Sequence, residues 1–483
     1  MIDLMHLENY RENNRIEAKR ALGGLPHSIW ETYCAFANTL GGVILLGVVE
    51  EKDKSLQAID LPDPGKLIRE FWKIVNDPKK LSANILSPEQ VKIENVHGKR
   101  IVVITVPRAG RRERPVYMDG DPFVGSYRRN GEGDYRCTRE EVEAMLRDAA
   151  RETLDREVLG QTSMEALDYE SVRGYRRSMK NARWDAARKP ARNMMREPAW
   201  DEDWDAAEDE DFLCGIGAAA RSGDMGIHPT AAGLLMFGKE SEITRVFPEF
   251  VLDYREQRKK DGPWKSRVVS SSGDWSGNLY DFYCRVYQDM MEDMEFFAGK
   301  EGENKNSAAL MRQALREALA NCLVNADYYG KQGIVIEKKS DEITFSNPGG
   351  FRIDPAAARN GGISDPRNAA LMKMFYMLNV GKREGSGISG IYQAWEKQGW
   401  NAPKIQEMFE PERIVMSLPV NRKNNSQKII DYLTEHVQAD FGELSRALNL
   451  KASEVKTCLD ALLRQEIVVA KGQGRKQIYQ LKS

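Results

Sequence analysis

The sequence predicts a multidomain α/β (α+β) protein, and three observations carry that expectation. Its 483 residues are enough for about three domains. Strand-patterned and helix-patterned stretches alternate in the first 150 residues and again after residue 300. The last sixty residues change character behind a polar linker at 421–426, reading as three helices and a two-stranded ribbon around Gly472-Gln473-Gly474. The expected division is 1–150, a connector at 151–299, then 300–420 and 421–483.

Hydrophobic residues make up 41% and charged residues 30%, which supports packed cores rather than disorder. The longest apolar run, 43–49, is too short to span a bilayer. The first residues show no basic and apolar signal pattern, so a cytoplasmic protein is expected. Six cysteines lie far apart with no CxxC, so neither a disulfide framework nor a zinc site is expected. The net charge of -2 argues against a generally cationic nucleic-acid coat, but the charge is uneven. Residues 99–136 hold nine Lys/Arg against five Asp/Glu, and 422–483 hold eleven against seven. Residues 197–211 carry nine acids and no base, which reads as a solvated loop.

In the first domain, Pro26-His27-Ser28 opens a helix whose Ile29, Tyr33, Phe36 and Ala37 share a face. Asn38-Thr39-Leu40-Gly41-Gly42 stops it, and 43–49 reads as a buried strand. Residues 91–106 read as a hairpin turning at His97-Gly98-Lys99, and Thr138-Arg139-Glu140-Glu141 as a capping-box helix start. Ahead of these, Asn13-Asn14 is a turn signal and 15–19 alternates as a strand. That places Arg15, Glu17 and Lys19 on one side, with Ile16 and Ala18 inward. Glu50 follows the strand 43–49. Carboxylates at a strand start and a strand end, with Lys19 beside them, can hold Mg2+ or Mn2+ against a phosphodiester. Ordinary salt bridges on a surface strand would use the same residues.

Glu12…Ile16-Glu17-Ala18-Lys19, Ala35-Phe36-Ala37-Asn38-Thr39-Leu40-Gly41-Gly42, Leu45-Leu46-Gly47-Val48 and Tyr127-Arg128-Arg129-Asn130-Gly131 together resemble the Schlafen-type AlbA domain over about the first 145 residues. The resemblance implies nucleic-acid binding, with Arg128 and Arg129 facing the nucleic acid. In animal Schlafen proteins it further implies RNA cleavage by three carboxylates, which fall here on Glu12, Glu17 and Glu50 as metal ligands, with Lys19 beside them. The strand ends here in Val49-Glu50, where the family pattern has an aspartate.

After residue 300, residues 308–327 form an amphipathic helix with Ala314, Leu315, Ala318, Leu319, Cys322 and Leu323 on the apolar stripe. Glu317 and Asn321 are four apart, and Asn325 continues their ridge. Such an edge suits a Mg2+-nucleotide, with Asn321 on the metal and Glu317 orienting water. Strands follow at 333–337 and 342–346, then glycine-rich turns at 347–350 and 385–390. Asn347 can meet a base edge while Gly349 and Gly350 admit close approach. Lys382, Gly385, Ser386 and Gly387 can offer a cation and backbone N–H groups to phosphates at a helix start near Ile388.

This order is similar to the GHKL-type ATP-binding α/β sandwich of gyrase, heat-shock chaperones and histidine kinases, in the branch that follows a Schlafen-type AlbA domain in bacterial proteins. Residues 300–420 carry the resemblance, and 229–239 match the connecting segment. It implies ATP and Mg2+ as cofactors. Asn347 stands where the wider superfamily has an adenine-reading aspartate, and Asn325-Ala326 replaces a His-Arg pair before Asp327.

The C-terminal sixty residues suit a winged helix-turn-helix. Leu444, Leu448, Val455, Leu459, Leu462 and Leu463 pack the helices, and Lys451, Ser453, Lys456 and Thr457 open the recognition helix. Arg475 and Lys476 lie on the wing. Short polar and basic residues there meet phosphates and base edges. Two functions therefore stand side by side: an ATP-responsive DNA-binding transcriptional regulator, and an ATP-gated metal-dependent endonuclease acting on RNA or single-stranded DNA in anti-phage defence. Nucleic acid is the expected partner, no membrane is, and a homo-oligomer is expected.

Overall fold

The computed structural model describes residues 2–187, 207–223, 226–257, 262–292, 305–381, 386–420, 425–465, 467–472 and 477–482. It is a mixed α/β structure of several sheets and helices. Among the described residues no helix is long and apolar enough to cross a membrane, and the six cysteines are free thiols.

The first sheet has four strands in the order Ile16–Lys19, Gly42–Leu46, Lys99–Val106, Val91–Val96. The outer pair at Ile16–Lys19 is parallel, with Ile16 opposite Val43, and the rest is antiparallel. Side chains alternate between two cores, as strand period dictates. Ile44, Leu46, Val102 and Ile104 meet the helices Ile29–Asn38 and Pro64–Val75 through Tyr33, Phe36 and Phe71. On the other face Ile16, Leu45 and Ile101 pack with Leu7, Val48 and Leu56.

The AFANTLGG stretch earns its composition by meeting the backbone of residues 106–129. Buried Asn38 donates to the carbonyls of Val116 (2.8 Å) and Tyr127 (3.0 Å) and accepts from the Val116 amide (2.7 Å). The Thr39 hydroxyl accepts from the Arg129 amide at 3.0 Å. Gly41 has φ +72, and a Cβ there would sit 2.8 Å from the Val106 carbonyl oxygen, so only glycine fits. The expected strand 43–49 is in fact two, because Gly47 at φ +84 breaks it and Val48–Glu50 pairs instead with Leu56–Ala58. The hairpin at His97-Gly98 is present. The capping box is too, with the Thr138 hydroxyl accepting from the Glu141 amide and the Glu141 carboxylate accepting from the Thr138 amide.

A six-stranded sheet follows, ordered Ser266–Val269, Leu252–Glu256, Ile334–Lys338, Glu342–Pro348, Glu412–Pro419, Lys404–Phe409. Two of its strands precede residue 300 and four follow it. One hydrophobic core runs through both sides, from Ala166 to Leu418. The connector and the unit after it thus share one sheet, and the line drawn at 299/300 passes through it. The helix Lys305–Val324 crosses that core with Leu315, Leu319 and Leu323 inward. The expected turn at 385–390 belongs instead, from Ser386 onward, to the helix Ser386–Lys397. The acidic stretch lies outside the described residues from 197 to 206. Its end, Asp209-Glu210-Asp211, is the first turn of the helix Asp209–Ile216, where carboxylates suit the helix dipole.

The C-terminal residues form a separate core around Ile429, Leu433, Leu444, Val455, Leu459 and Leu462. Helices Asn425–His436, Phe441–Ala447 and Ala452–Arg464 pack on a sheet ordered Gln438–Asp440, Ile478–Leu481, Val468–Lys471. The first of those strands is one more than the ribbon read from sequence. Asn425 and Ser426, read as linker, open the first helix.

Candidate functional site

Of the N-terminal carboxylates, Glu17 and Glu50 are paired with cations and Glu12 with a backbone amide. Glu12 accepts from the Ala18 amide at 2.9 Å. Glu17 takes Lys19 Nζ on one oxygen (2.9 Å) and Arg129 Nη2 on the other (2.8 Å). Arg129 is spent entirely inside. It also pairs with Asp134 at 2.9 Å, donates to the carbonyls of Asn13 and Ile16, and lies over the Phe36 ring, leaving its side chain 1% exposed. Lys19 donates to Ser28 as well. Glu50 pairs with Lys54 at 3.3 Å, while its other oxygen is buried with no hydrogen-bond partner. Among the described residues no group of three or more His, Cys, Asp or Glu is placed to hold a metal ion. Of the carboxylates expected as metal ligands, Glu17 has both oxygens paired in this arrangement, one with Lys19 and one with Arg129. Arg129, expected at nucleic acid, is a buried cation in this arrangement.

Burial raises the proton affinity of Glu12 above the ordinary carboxylate value, and the Glu17 and Glu50 carboxylates add to the rise. A carboxyl raised in this way stabilises the fold below the unfolded value of 4.5, and that contribution is lost as pH climbs through the raised value. Glu12→Gln keeps the oxygen that accepts from Ala18. It is expected to raise the melting temperature at pH 7.5 and to leave it unchanged near pH 4, read by thermal unfolding at both. A lower melting temperature at pH 7.5 would contradict the repulsion argument.

The second site is an open cleft whose lining joins an apolar wall to a polar end, the make-up of a small-molecule site. Phe345, Ile353, Ile405, Ile414 and Met416 give it an apolar wall. Asn347 sits in that wall, 5% exposed, its amide donating to the Pro348 carbonyl at 3.3 Å. The polar end is built by the helix Lys305–Val324, which presents Glu317 and Asn321 from successive turns. Glu317 accepts from the Gly381 amide at 3.3 Å. The Asn321 amide nitrogen is buried with no hydrogen-bond partner. The start of the helix Ser386–Lys397 closes over both. A Cβ on Gly387 would lie 3.1 Å from that nitrogen and 3.4 Å from Glu317 Oε2, so glycine permits the approach. Lys382 and Gly385 lie outside the described residues, as do Arg475 and Lys476, and the side chain of Ser386 is not described.

Other expected residues have different employment. Asn325 donates to the Asn321 carbonyl (3.0 Å) and accepts from the Arg367 amide (3.4 Å), which makes it a helix-end tie on the cleft wall. Gly349 and Gly350 make room for protein groups. A Cβ on Gly349 would strike the Arg367 guanidinium, and one on Gly350 the carboxylates of Glu407 and Glu412.

The family model described as "Schlafen, AlbA_2" matches residues 12–138. Residues 12–138 are a Schlafen AlbA_2 domain. The model described as "Putative ATP-dependent DNA helicase recG C-terminal" matches 331–416, and a domain of unknown function, DUF8451, matches 185–253. Two solved structures are similar to the chain. The DIP2311 protein of Corynebacterium diphtheriae is 17% identical, over 97% of this chain and 95% of that one, with TM-score 0.40. The N-terminal domain of a RecG-related protein of Nitrosomonas europaea, titled a Putative ATP-dependent DNA Helicase, is 34% identical. That match spans 29% of this chain and 95% of that one, with TM-score 0.23. No curated protein matches the chain. The two named families mark it as nucleic-acid-related, with an ATPase-like domain.

The AlbA domain is seated on the wall of the cleft, a feature that sequence reasoning missed. Arg108 makes a two-pronged pair with Glu407 (2.5 and 2.8 Å) and donates to the Phe351 carbonyl, as does buried Arg114. Arg111 pairs with Asp365 at 2.5 Å. The helix Arg139–Ala149, just past the domain, adds Arg147 to Asp327 and Asp148 to Arg367. Arg128, expected at nucleic acid, pairs with Glu141 and Glu410. Most of the positive charge of 99–136 is therefore directed at carboxylates of the same chain. The signal in the sequence was the Arg111-Arg112-Glu113-Arg114-Pro115 cluster, which nothing local could employ.

Proposed function

We propose that the protein is an ATP-responsive, nucleic-acid-binding regulator. The observation that carries the reading is the division of the cleft: an apolar wall with one amide, and a polar end where Asn321 keeps an unspent buried amide beside a helix start. A nucleotide has the same division. The base would lie on Phe345, Ile405, Ile414 and Met416. The Pro348 carbonyl only accepts, so Asn347 turns its NH2 there and keeps its oxygen for an exocyclic amino group such as adenine carries. Asn321 would hold Mg2+ and the phosphates and Glu317 would orient water, with the helix Ser386–Lys397 adding backbone N–H groups and its dipole. The metal supplies charge neutralisation at the phosphates.

Nucleic acid would be met by the C-terminal unit, read as a winged helix. Lys451, Ser453 and Lys456 are exposed at the start of the helix Ala452–Arg464, clear of the internal pairing that occupies Arg128 and Arg129. Deleting 422–483 is expected to abolish duplex DNA binding at moderate salt. Lys451→Ala with Lys456→Ala should lower the slope of log affinity against log salt by about 2, as two lost phosphate contacts require. Fluorescence anisotropy of a labelled duplex, with and without Mg2+-ATP, reads both. Undiminished binding after the deletion would return the role to the AlbA domain.

The second reading, an ATP-gated endonuclease, is favoured by the buried unpartnered oxygen of Glu50, a carboxylate close enough to Glu12 to raise its proton affinity. It requires Glu17 to leave Arg129 and Lys19. Absence of cleavage of tRNA and single-stranded DNA, with either Mg2+ or Mn2+, would remove it.

A further inference from the structure

Residues 361–367 form one rim of the cleft and have the build of a hinged strap. At one end Gly361 and Gly362 both have positive φ (+79 and +86), and a Cβ on Gly362 would meet nothing. At the other end Asn368 is fastened to the end of the long helix, donating to the carbonyls of Val324 (2.9 Å) and Ala326 (2.8 Å). Between the ends, Ile363, Ser364, Asp365, Pro366 and Arg367 all line the cleft. Ile363 is nevertheless 52% exposed, an apolar side chain on a binding rim with nothing yet covering it. The centre of the strap is Asp365, and two arginines hold it. Arg352 comes from the cleft itself at 3.4 Å, and Arg111 comes from the AlbA domain at 2.5 Å. Arg111 does not line the cleft. It also donates to the carbonyls of Asp148 (2.6 Å) and Ala150 (2.9 Å), so one guanidinium ties the strap to the segment that leaves the AlbA domain.

We propose that Arg111 is the positioning residue through which nucleotide in the cleft and the seating of the AlbA domain are coupled. The inference rests on the nucleotide reading above. Closure of the strap on a nucleotide moves Asp365, the partner of Arg111. Whatever free energy that movement costs or releases at the Arg111–Asp365 pair must appear equally as a change in nucleotide affinity and a change in AlbA docking. Neither site needs to touch the other's ligand. The strap supplies the two-position element that such coupling requires.

The test uses the full chain, wild type beside Arg111→Met and Asp365→Ala. The second variant removes the strap contact while leaving Arg111 on the 148 and 150 carbonyls, so a folding defect of the first does not end the experiment. Hydrogen exchange without nucleotide comes first: both variants should loosen residues 361–367 by about fivefold or more. Calorimetry with Mg2+ and a non-hydrolysable ATP analogue comes second: Arg111→Met should change the affinity by about fivefold, the lower end of ordinary coupling, although it lies outside the cleft. In wild type the analogue should also alter exchange at 107–115, and in Arg111→Met it should not. Equal exchange of 361–367 in all three proteins would overturn the coupling. So would analogue binding that leaves 107–115 unchanged in wild type. Failure of wild type to bind the analogue, with the strap loosened in the variants, would instead remove the nucleotide reading while leaving the tether in place.

Discussion

Replacing Arg129 with methionine is expected to destabilise the AlbA domain by about 3–5 kcal/mol, the cost of breaking a buried ion pair by removing one partner. The change strands two carboxylates at once. Glu17 keeps only Lys19, and Asp134 keeps only the Thr32 hydroxyl at 2.7 Å. It also leaves the Asn13 and Ile16 carbonyls short of a donor, which loosens the turn that presents Glu12. For a domain of this size, a loss of that order corresponds to a melting temperature roughly 10–20 °C lower. Arg129→Lys should recover only part of it, because an ammonium cannot span Glu17 and Asp134 as a planar fork does. Thermal unfolding of the full chain, following the AlbA transition, reads the difference. An unchanged melting temperature combined with weaker nucleic-acid binding would restore Arg129 to the surface role that its place in the Tyr127-Arg128-Arg129-Asn130-Gly131 stretch suggests.

Arg129 also marks the limit of what the sequence made legible. Features set by near neighbours could be read directly. The Thr138 capping box, the His97-Gly98 turn and the amphipathic face of Lys305–Val324 depend on residues within a turn or two of one another. The AFANTLGG stretch was legible only as a family pattern, because Asn38, Thr39 and Gly41 answer backbone groups of residues 106–129, far away in sequence. The Glu317 and Asn321 ridge was legible directly, since helical spacing alone puts both at the cleft. What could not be read was the partner of each charge. Arg111 and Asp365 are 254 residues apart, and Arg108 and Glu407 are 299 apart. The surplus of basic residues in 99–136 looked like a surface for phosphate, while the carboxylates that take up Arg108, Arg111 and Arg128 include Glu407, Asp365 and Glu410, far along the chain. Gly349 and Gly350 misled in the same way. A glycine pair signals close approach but not of what, and here the visitors are Arg367, Glu407 and Glu412. The line at 299/300 failed because parallel pairing of Leu252–Glu256 with Ile334–Lys338 joins strands some eighty residues apart.

Mg2+-ATP at a hundredfold excess over its dissociation constant is expected to stabilise the wild-type protein by about 2.7 kcal/mol, and Asn321→Ala is expected to lose that gain. The state without nucleotide makes this substitution informative. A buried amide nitrogen left without a partner costs about 1–3 kcal/mol, so removing it should leave the unliganded melting temperature equal or slightly higher. If the Asn321 side chain served only to hold the fold, the same change would lower that temperature instead. Glu317→Gln makes the complementary case. Its amide oxygen still accepts from Gly381, so the fold and the nucleotide-induced shift should persist. Any turnover should fall, because an amide cannot take a proton from attacking water. The pair of variants thus separates holding the nucleotide from using it. Equal nucleotide-induced shifts in wild type and Asn321→Ala would sink the assignment of this end of the cleft to phosphate and metal, whatever the base-facing wall around Asn347 binds.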